Sequence, residues 1–148
     1  MTRPPLPSAF LARPIAHRAL HGPGRPENSL SAVRAAVAAG YGIEIDVQPT
    51  ADGEALVFHD EDSARLTGEP GPVARRTAAQ MAALPLLGGG GEGAPTLRQV
   101  LAEVAGRVPL LVEVKDQTGT MGETDGALEA AVAEALAGYG GPVALMSF

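Results

Sequence analysis

The run Val108-Pro-Leu-Leu-Val-Glu-Val-Lys115 is almost unbroken in its apolar character, as a parallel strand covered on both faces requires. Parallel strands cannot be joined by a tight turn; each needs a crossover of a dozen or more residues, usually a helix. The run therefore commits its surroundings to alternating strands and helices, and that rhythm can be followed along the chain. Residues 1–13 read as an irregular lead-in, and Pro14 to Arg18 as a short extended piece. Residues 19–26, with Gly22, Pro23, Gly24 and Pro26, are loop. A helix opens with Asn28 or Ser29 as its cap, carries Leu30, Val33 and Val37 at helical spacing, and stops at Gly40.

Next comes an extended stretch with a second kind of information. In a strand over 41–47, Glu44 and Asp46 share one face, while Ile43, Ile45 and Val47 share the other. Asp52-Gly53 is a hairpin signal, and Ala55 to Phe58 can return antiparallel, bringing His59 near Asp46. Residues 61–75 read as a long loop. Thr77 with Gln80, and Thr96 with Gln99, are capping-box pairs. The first opens a short helix ending near Pro85, the second a helix with Leu97, Val100, Leu101 and Val104 inward and Gly106 as its stop. Gly88 to Gly91 lacks a following Gly-Lys-Ser/Thr, which argues against a phosphate-cradling P-loop. After Lys115 come a loop over 116–124, a helix carrying Leu128, Val132 and Leu136, and a last strand from Pro142 to Phe148. The pattern is four core strands with helices between them and a β-hairpin inserted after the second strand, an α/β chain with a parallel sheet.

At 148 residues this is one domain's length. A (β/α)8 barrel needs about 250 residues, so four units amount to half of one. The expectation is a fragment, or a half-barrel that self-associates as a homo-oligomer through its uncovered strand edge. A net charge of -6 with scattered Lys and Arg leaves no basic stripe for nucleic acid. Without cysteine there is neither disulfide nor thiolate metal site, in keeping with a cytoplasmic setting. No run is long enough for stable membrane insertion.

In parallel α/β barrels, functional groups collect at the carboxyl ends of strands. Those ends supply His17 and Arg18, then Glu44 and Asp46, then Glu113 and Lys115, with His59 arriving from the hairpin. Three carboxylates offer hard oxygen donors suited to Mg²⁺ or Ca²⁺. Arg18 and Lys115 are placed for a phosphate. His17 and His59 can serve as general base and general acid.

These residues sit in an ordered series: His17-Arg18, Pro26-Glu27-Asn28-Ser29, Glu44-Ile-Asp46, Asp52-Gly53, His59-Asp60, Pro95-Thr-Leu and Glu113-Val-Lys115. The series resembles the glycerophosphodiester phosphodiesterase family, relatives of the phosphatidylinositol phospholipase C barrels, from about residue 14 to the last residue. The resemblance implies a (β/α)8 barrel, present here as its first four units over 14–148. It implies one divalent cation on Glu44, Asp46 and Glu113, and His17 and His59 as the acid/base pair. It further implies phosphate held by Arg18 and Lys115, Glu27 and Asn28 lining the site, and a small glycerophosphodiester cleaved to sn-glycerol 3-phosphate and an alcohol. One departure is local: where the family usually reads His-Arg-Gly, this chain has Ala19. Alanine strains that turn if positive φ is required there, unless Gly22 takes the turn over.

Each residue also has a plainer reading. Glu44 and Asp46 fit the wet face of an edge strand. Lys115 fits a strand's exit into solvent, and Glu27 and Asn28 fit the approach to a helix. Thr96 and Gln99 are accounted for by capping, and His21 by its loop. The rival class is a catalytically inactive half-barrel acting as a binding or self-associating module. A metal-dependent isomerase or aldolase fits less well, since it has no use for two histidines beside Arg and Lys.

Overall fold

The structure, a computed structural model, describes residues 4–148. Within the expected lead-in, residues 1–3 lie outside the described part, and the remainder is not wholly irregular: Ala9–Ala12 forms a helical turn, α1, that buries Phe10. The strands are β1 (Ile15–Ala16), β2 (Gly42–Pro49), β3 (Ala55–Val57), β4 (Leu110–Val114) and β5 (Val143–Met146). The longer helices are α2 (Leu30–Ala39), α5 (Leu97–Val104) and α6 (Ala127–Leu136). Two short ones, α3 (Ala64–Thr67) and α4 (Ala78–Ala82), fall between β3 and α5. The stretch 61–75, expected as loop, therefore holds α3 and a 3₁₀ turn at Val73–Arg75. Elements of three or four residues are too short to show a periodic pattern.

Helix boundaries follow local chemistry. Ser29 caps α2, its Oγ accepting from Ala32 N–H, and Gly40 closes the helix in the left-handed region at φ 71°. Both capping boxes form reciprocally, Thr77 with Gln80 and Thr96 with Gln99. The end of α5 differs from expectation by one residue: Ala105 takes the first left-handed position, with Gly106 following.

The parallel sheet runs β1-β2-β4-β5, with β3 antiparallel to β2. Register aligns Ile43 with Leu110, Ile45 with Val112 and Val47 with Val114. This row faces the helices, packing with Val33, Val100, Val104, Leu128 and Val132 in one core. Each such aliphatic side chain, fully buried, contributes about 1.5–3 kcal/mol. A satellite cluster of Leu56, Phe58, Leu66, Val73, Met81 and Leu86 anchors the excursion after β3.

Because β2 is flanked on both sides and buried along nearly all its length, Glu44 and Asp46 are not the wet face of an edge strand. One flank of β2 is shared: β1 pairs at Gly42 and Ile43, while β3 pairs at Val47 to Pro49. The interval between them is closed by the chain leaving each strand, since Ala19 N–H donates to Glu44 O (3.0 Å) and Phe58 N–H donates to Asp46 O (3.1 Å). Two strand exits are thus drawn to the same stretch of β2, and these exits carry His17, Arg18 and His59.

Candidate active site

Opposite the helix-facing row, β2 presents Glu44, Asp46 and Gln48, and β4 presents Leu111, Glu113 and then Lys115. Register places Asp46 directly beside Glu113. Glu44 is 4% exposed and Asp46 1%. One carboxylate oxygen from each of Glu44, Asp46 and Glu113 can be chosen so that all lie within 4.8 Å of one another. Burial raises the pKa of Glu44, partly countered by the Arg18 backbone N–H and raised further by Asp46 alongside.

The surrounding partners are arranged about these anions. Arg18 N–H donates to Glu44 Oε2 (2.8 Å). Asn28 Nδ2 donates to Asp46 Oδ2 (2.9 Å), and Lys115 Nζ donates to Glu113 Oε1 (2.9 Å) while lying 3.7 Å from Asp46 Oδ1. Arg18 Nε is 3.7 Å from Asp46 Oδ2, and Arg18 Nη1 donates to Glu27 Oε1 (3.1 Å). His17, on an exposed side chain, places Nε2 3.9 Å from Glu44 Oε2.

Two of these placements need left-handed backbone. Arg18 (φ 54°) and Ala19 (φ 65°) turn the chain over Glu44, each at a cost of about 1–2 kcal/mol for a residue with a Cβ. The two hydrogen bonds to Glu44 offset this. The strain foreseen at Ala19 is therefore present, and Gly22, which keeps a negative φ, does not relieve it. Asn28 is also left-handed at φ 57°. Ser29, not Asn28, caps α2, which leaves the Asn28 amide free to reach Asp46.

His59 approaches differently. Its Nδ1 is hydrogen-bonded to Asp60 Oδ1 (2.8 Å), and Asp60 in turn meets Arg65. Arg65 also binds Glu27, the partner of Arg18. Sequence reading did not single out Arg65: its partners lie 5 and 38 residues away, within a stretch that reads as loop. The available hint was the pair Leu66 and Val73, aliphatic side chains within that polar stretch whose burial docks the segment. A pocket of ≈ 180 Å³ lies beside His59 and Lys115, walled by Gln48, Pro49, Glu61 and Pro72 among others.

The Asp60 carboxyl is held down at about 2, chiefly by hydrogen bonding from Arg65. A depressed carboxyl stabilises the fold above its ordinary value near 3.8, and that contribution is lost as pH falls toward the native value. The urea midpoint of Asp60→Asn is accordingly expected below wild type at pH 7, with the gap closing between about pH 4 and pH 2. A gap that stays constant across this window contradicts the ion-pair origin.

Among the described residues, only Arg18 Nε and Glu44 Oε1 are buried side-chain atoms lacking a hydrogen-bond partner. A lone pair left free on a desolvated carboxylate, beside two further carboxylates, is what an oxygen-ligated dication relieves. The residues fit such an ion, and the cluster can hold a divalent metal. Fold and site together define a class: a parallel α/β chain with a cluster of three carboxylates that could hold a cation, and flanking Arg and Lys, on one face of its sheet. Residues 17–146 match the glycerophosphoryl diester phosphodiesterase family, and the chain belongs to it.

A glycerophosphodiester phosphodiesterase of Caldanaerobacter subterraneus subsp. tengcongensis is 37% identical over 111 residues, covering 71% of this chain and 45% of that protein. Among solved structures, an Oleispira antarctica phosphodiesterase in complex with the product sn-glycerol-3-phosphate superposes with a TM-score of 0.80 at 27% identity. That match covers 95% of this chain and 60% of the other. A glycerophosphodiester phosphodiesterase from Agrobacterium tumefaciens gives 0.75 at 29% identity, covering 92% and 57%. The chain spans about half the length of these relatives. Among the described residues, no helix is long and apolar enough to cross a membrane.

Proposed function

We propose that the chain hydrolyses glycerophosphodiesters to sn-glycerol 3-phosphate and an alcohol, on the first four units of a (β/α)8 barrel. The observation that carries this reading is a pair of orphaned buried atoms, one on Arg18 beside Asp46 and one on Glu44. Arg18 Nε is a cationic donor without an acceptor, and Glu44 Oε1 is an anionic acceptor without a donor. A phosphate satisfies the first and a dication the second. The product-bound Oleispira relative supports the same choice of substrate.

In this reading Glu44, Asp46 and Glu113 hold one Mg²⁺ or Ca²⁺, which when bound supplies Lewis-acid polarisation of a phosphoryl oxygen. Arg18 and Lys115 hold the phosphate, the former as a fork and the latter as a point charge. Glu27 fixes Arg18, and Asn28 fixes the Asp46 carboxylate. His17, beside Glu44, accepts the proton of the attacking oxygen. His59, beside the pocket that takes the alcohol, gives a proton to the departing oxygen as its bond to phosphorus breaks. The setting is cytoplasmic, in keeping with the cysteine-free sequence.

The test is choline release from glycerophosphocholine with Mg²⁺, with Ca²⁺ and with chelator. Turnover is expected with one or both cations and is expected to disappear in chelator. Turnover indifferent to chelator rules out the metal assignment. No turnover under any condition favours the second reading, a self-associating module, for which Leu145 (55% exposed) and Phe148 (71% exposed) supply the apolar surface. Sedimentation velocity then reports the dimer or its absence.

A further inference from the structure

We propose that Arg65 is a positioning residue that fixes the His59 imidazole and the Arg18 guanidinium relative to each other, by clamping the carboxylate behind each. The proposal rests on the roles given to His59 and Arg18 above. Arg65 Nε and Nη2 donate to the two oxygens of Asp60, at 2.6 and 2.8 Å. Its Nη1 and Nη2 donate to the two oxygens of Glu27, at 3.0 and 2.7 Å. One planar guanidinium thus meets two carboxylates along two of its edges, each in the bidentate mode that fits its geometry.

Both carboxylates are shared with the reacting groups. Asp60 Oδ1 takes Arg65 Nη2 on one side and His59 Nδ1 on the other, the latter at 2.8 Å. Glu27 Oε1 takes Arg65 Nη2 together with Arg18 Nη1, the latter at 3.1 Å. The result is an unbroken series, His59–Asp60–Arg65–Glu27–Arg18. It ties the exit of β3 to α3, to the loop before α2 and to the exit of β1.

Arg65 itself is not a phosphate ligand. Four N–H donors of a guanidinium's five are committed in these bonds. Its backbone is held as well: Leu66 is buried in the satellite cluster, Ala64 N–H donates to Asp62 Oδ1, and Gly68 closes α3 at φ 79°. Both clamped carboxyls are shifted down, with hydrogen bonding from Arg65 the largest cause in each case. An ionised Asp60 can only accept, so His59 must carry its ring proton on Nδ1 when neutral. Nε2 is then the nitrogen left to exchange a proton with substrate.

The test compares wild type with Arg65→Gln, which removes the clamp, and Arg65→Lys, which keeps the charge and stem but cannot engage two carboxylates in bidentate fashion. Long-range ¹⁵N–¹H spectra, at a pH where the ring is neutral, report the His59 tautomer without requiring turnover. Wild type is expected to show the Nδ1–H form, and both variants a mixture with Nε2–H. With glycerophosphocholine, kcat is expected to fall about 10- to 100-fold in both, with a much smaller change in KM. If Arg65→Gln does not fold, Arg65→Lys decides by the same spectrum. An unchanged tautomer in a folded variant overturns the proposal, and unfolding of both variants assigns Arg65 to stability alone and overturns it too. If wild type hydrolyses nothing, the phosphodiesterase reading fails by itself, while the tautomer still decides whether Arg65 orients His59.

Discussion

Asp46→Asn is expected to weaken binding of Mg²⁺ or Ca²⁺ by about 100-fold or more, measured by isothermal titration calorimetry. It is expected to reduce hydrolysis of glycerophosphocholine by about 10²- to 10⁴-fold, the loss that follows when several kcal/mol of charge stabilisation is removed. The substitution keeps the shape of the side chain while removing its charge and turning one acceptor into a donor. Asp46 receives the Asn28 amide on one oxygen and faces Lys115 Nζ at 3.7 Å on the other. An amide in its place must turn its NH₂ toward one of these, setting a donor against the Asn28 amide or a partial positive charge against the ammonium. At 1% exposure neither mismatch is relieved by water. An affinity for both cations within about threefold of wild type, well short of the roughly 10- to 100-fold loss that even an outer-shell partner of a metal ligand brings, removes Asp46 from the ligand set.

The two histidines are expected to separate when the leaving group is changed. With glycerophosphocholine, both His17→Ala and His59→Ala are expected to lower kcat by about 10²- to 10⁴-fold, the usual contribution of a positioned acid or base. With a p-nitrophenyl phosphodiester, whose departing oxygen needs no proton near neutral pH, the deficit of His59→Ala is expected to shrink to within about tenfold of wild type, since the acid's share of that factor vanishes. The deficit of His17→Ala is expected to persist, because the attacking oxygen still has a proton to lose. The asymmetry follows from placement: His59 borders the pocket beside Lys115, while His17 stands next to Glu44. Equal recovery of both variants on the activated substrate contradicts the division of labour.

What the amino-acid order discloses, and what it conceals, divides by distance along the chain. Strand parity is local, so Glu44, Asp46, Glu113 and Lys115 could be assigned to common faces before any pairing was known. Capping is local too, and Thr77, Thr96 and Gly40 behave as their neighbours dictate. Asn28 is instructive because a local preference and a distant partner meet in it. It is a good cap residue by chemistry, yet its φ of 57° and its bond to Asp46 are set by a strand 18 residues away. Tertiary geometry decides for the site, and Ser29 inherits the cap. Arg65 lies beyond local inference altogether, since no short-range rule pairs it with Glu27, 38 positions earlier. The four-residue turns α1 and α3 went unread because one turn of helix carries no periodicity to detect.

The parity of β2 bears on how the sheet assembles. Ile43, Ile45 and Val47 alternate with Glu44 and Asp46, and β4 matches them position for position. Sliding either strand by one residue exchanges every side chain between faces. Such a slip drives Glu44 and Asp46, or Glu113, into the aliphatic layer around Val33 and Val104, where an ionised carboxylate is disfavoured by several kcal/mol. The cluster that weakens the native strand pair electrostatically thereby penalises its mispaired forms far more. Carboxylates placed for chemistry thus also act as a proofreading device, restricting the register in which the two central strands can align.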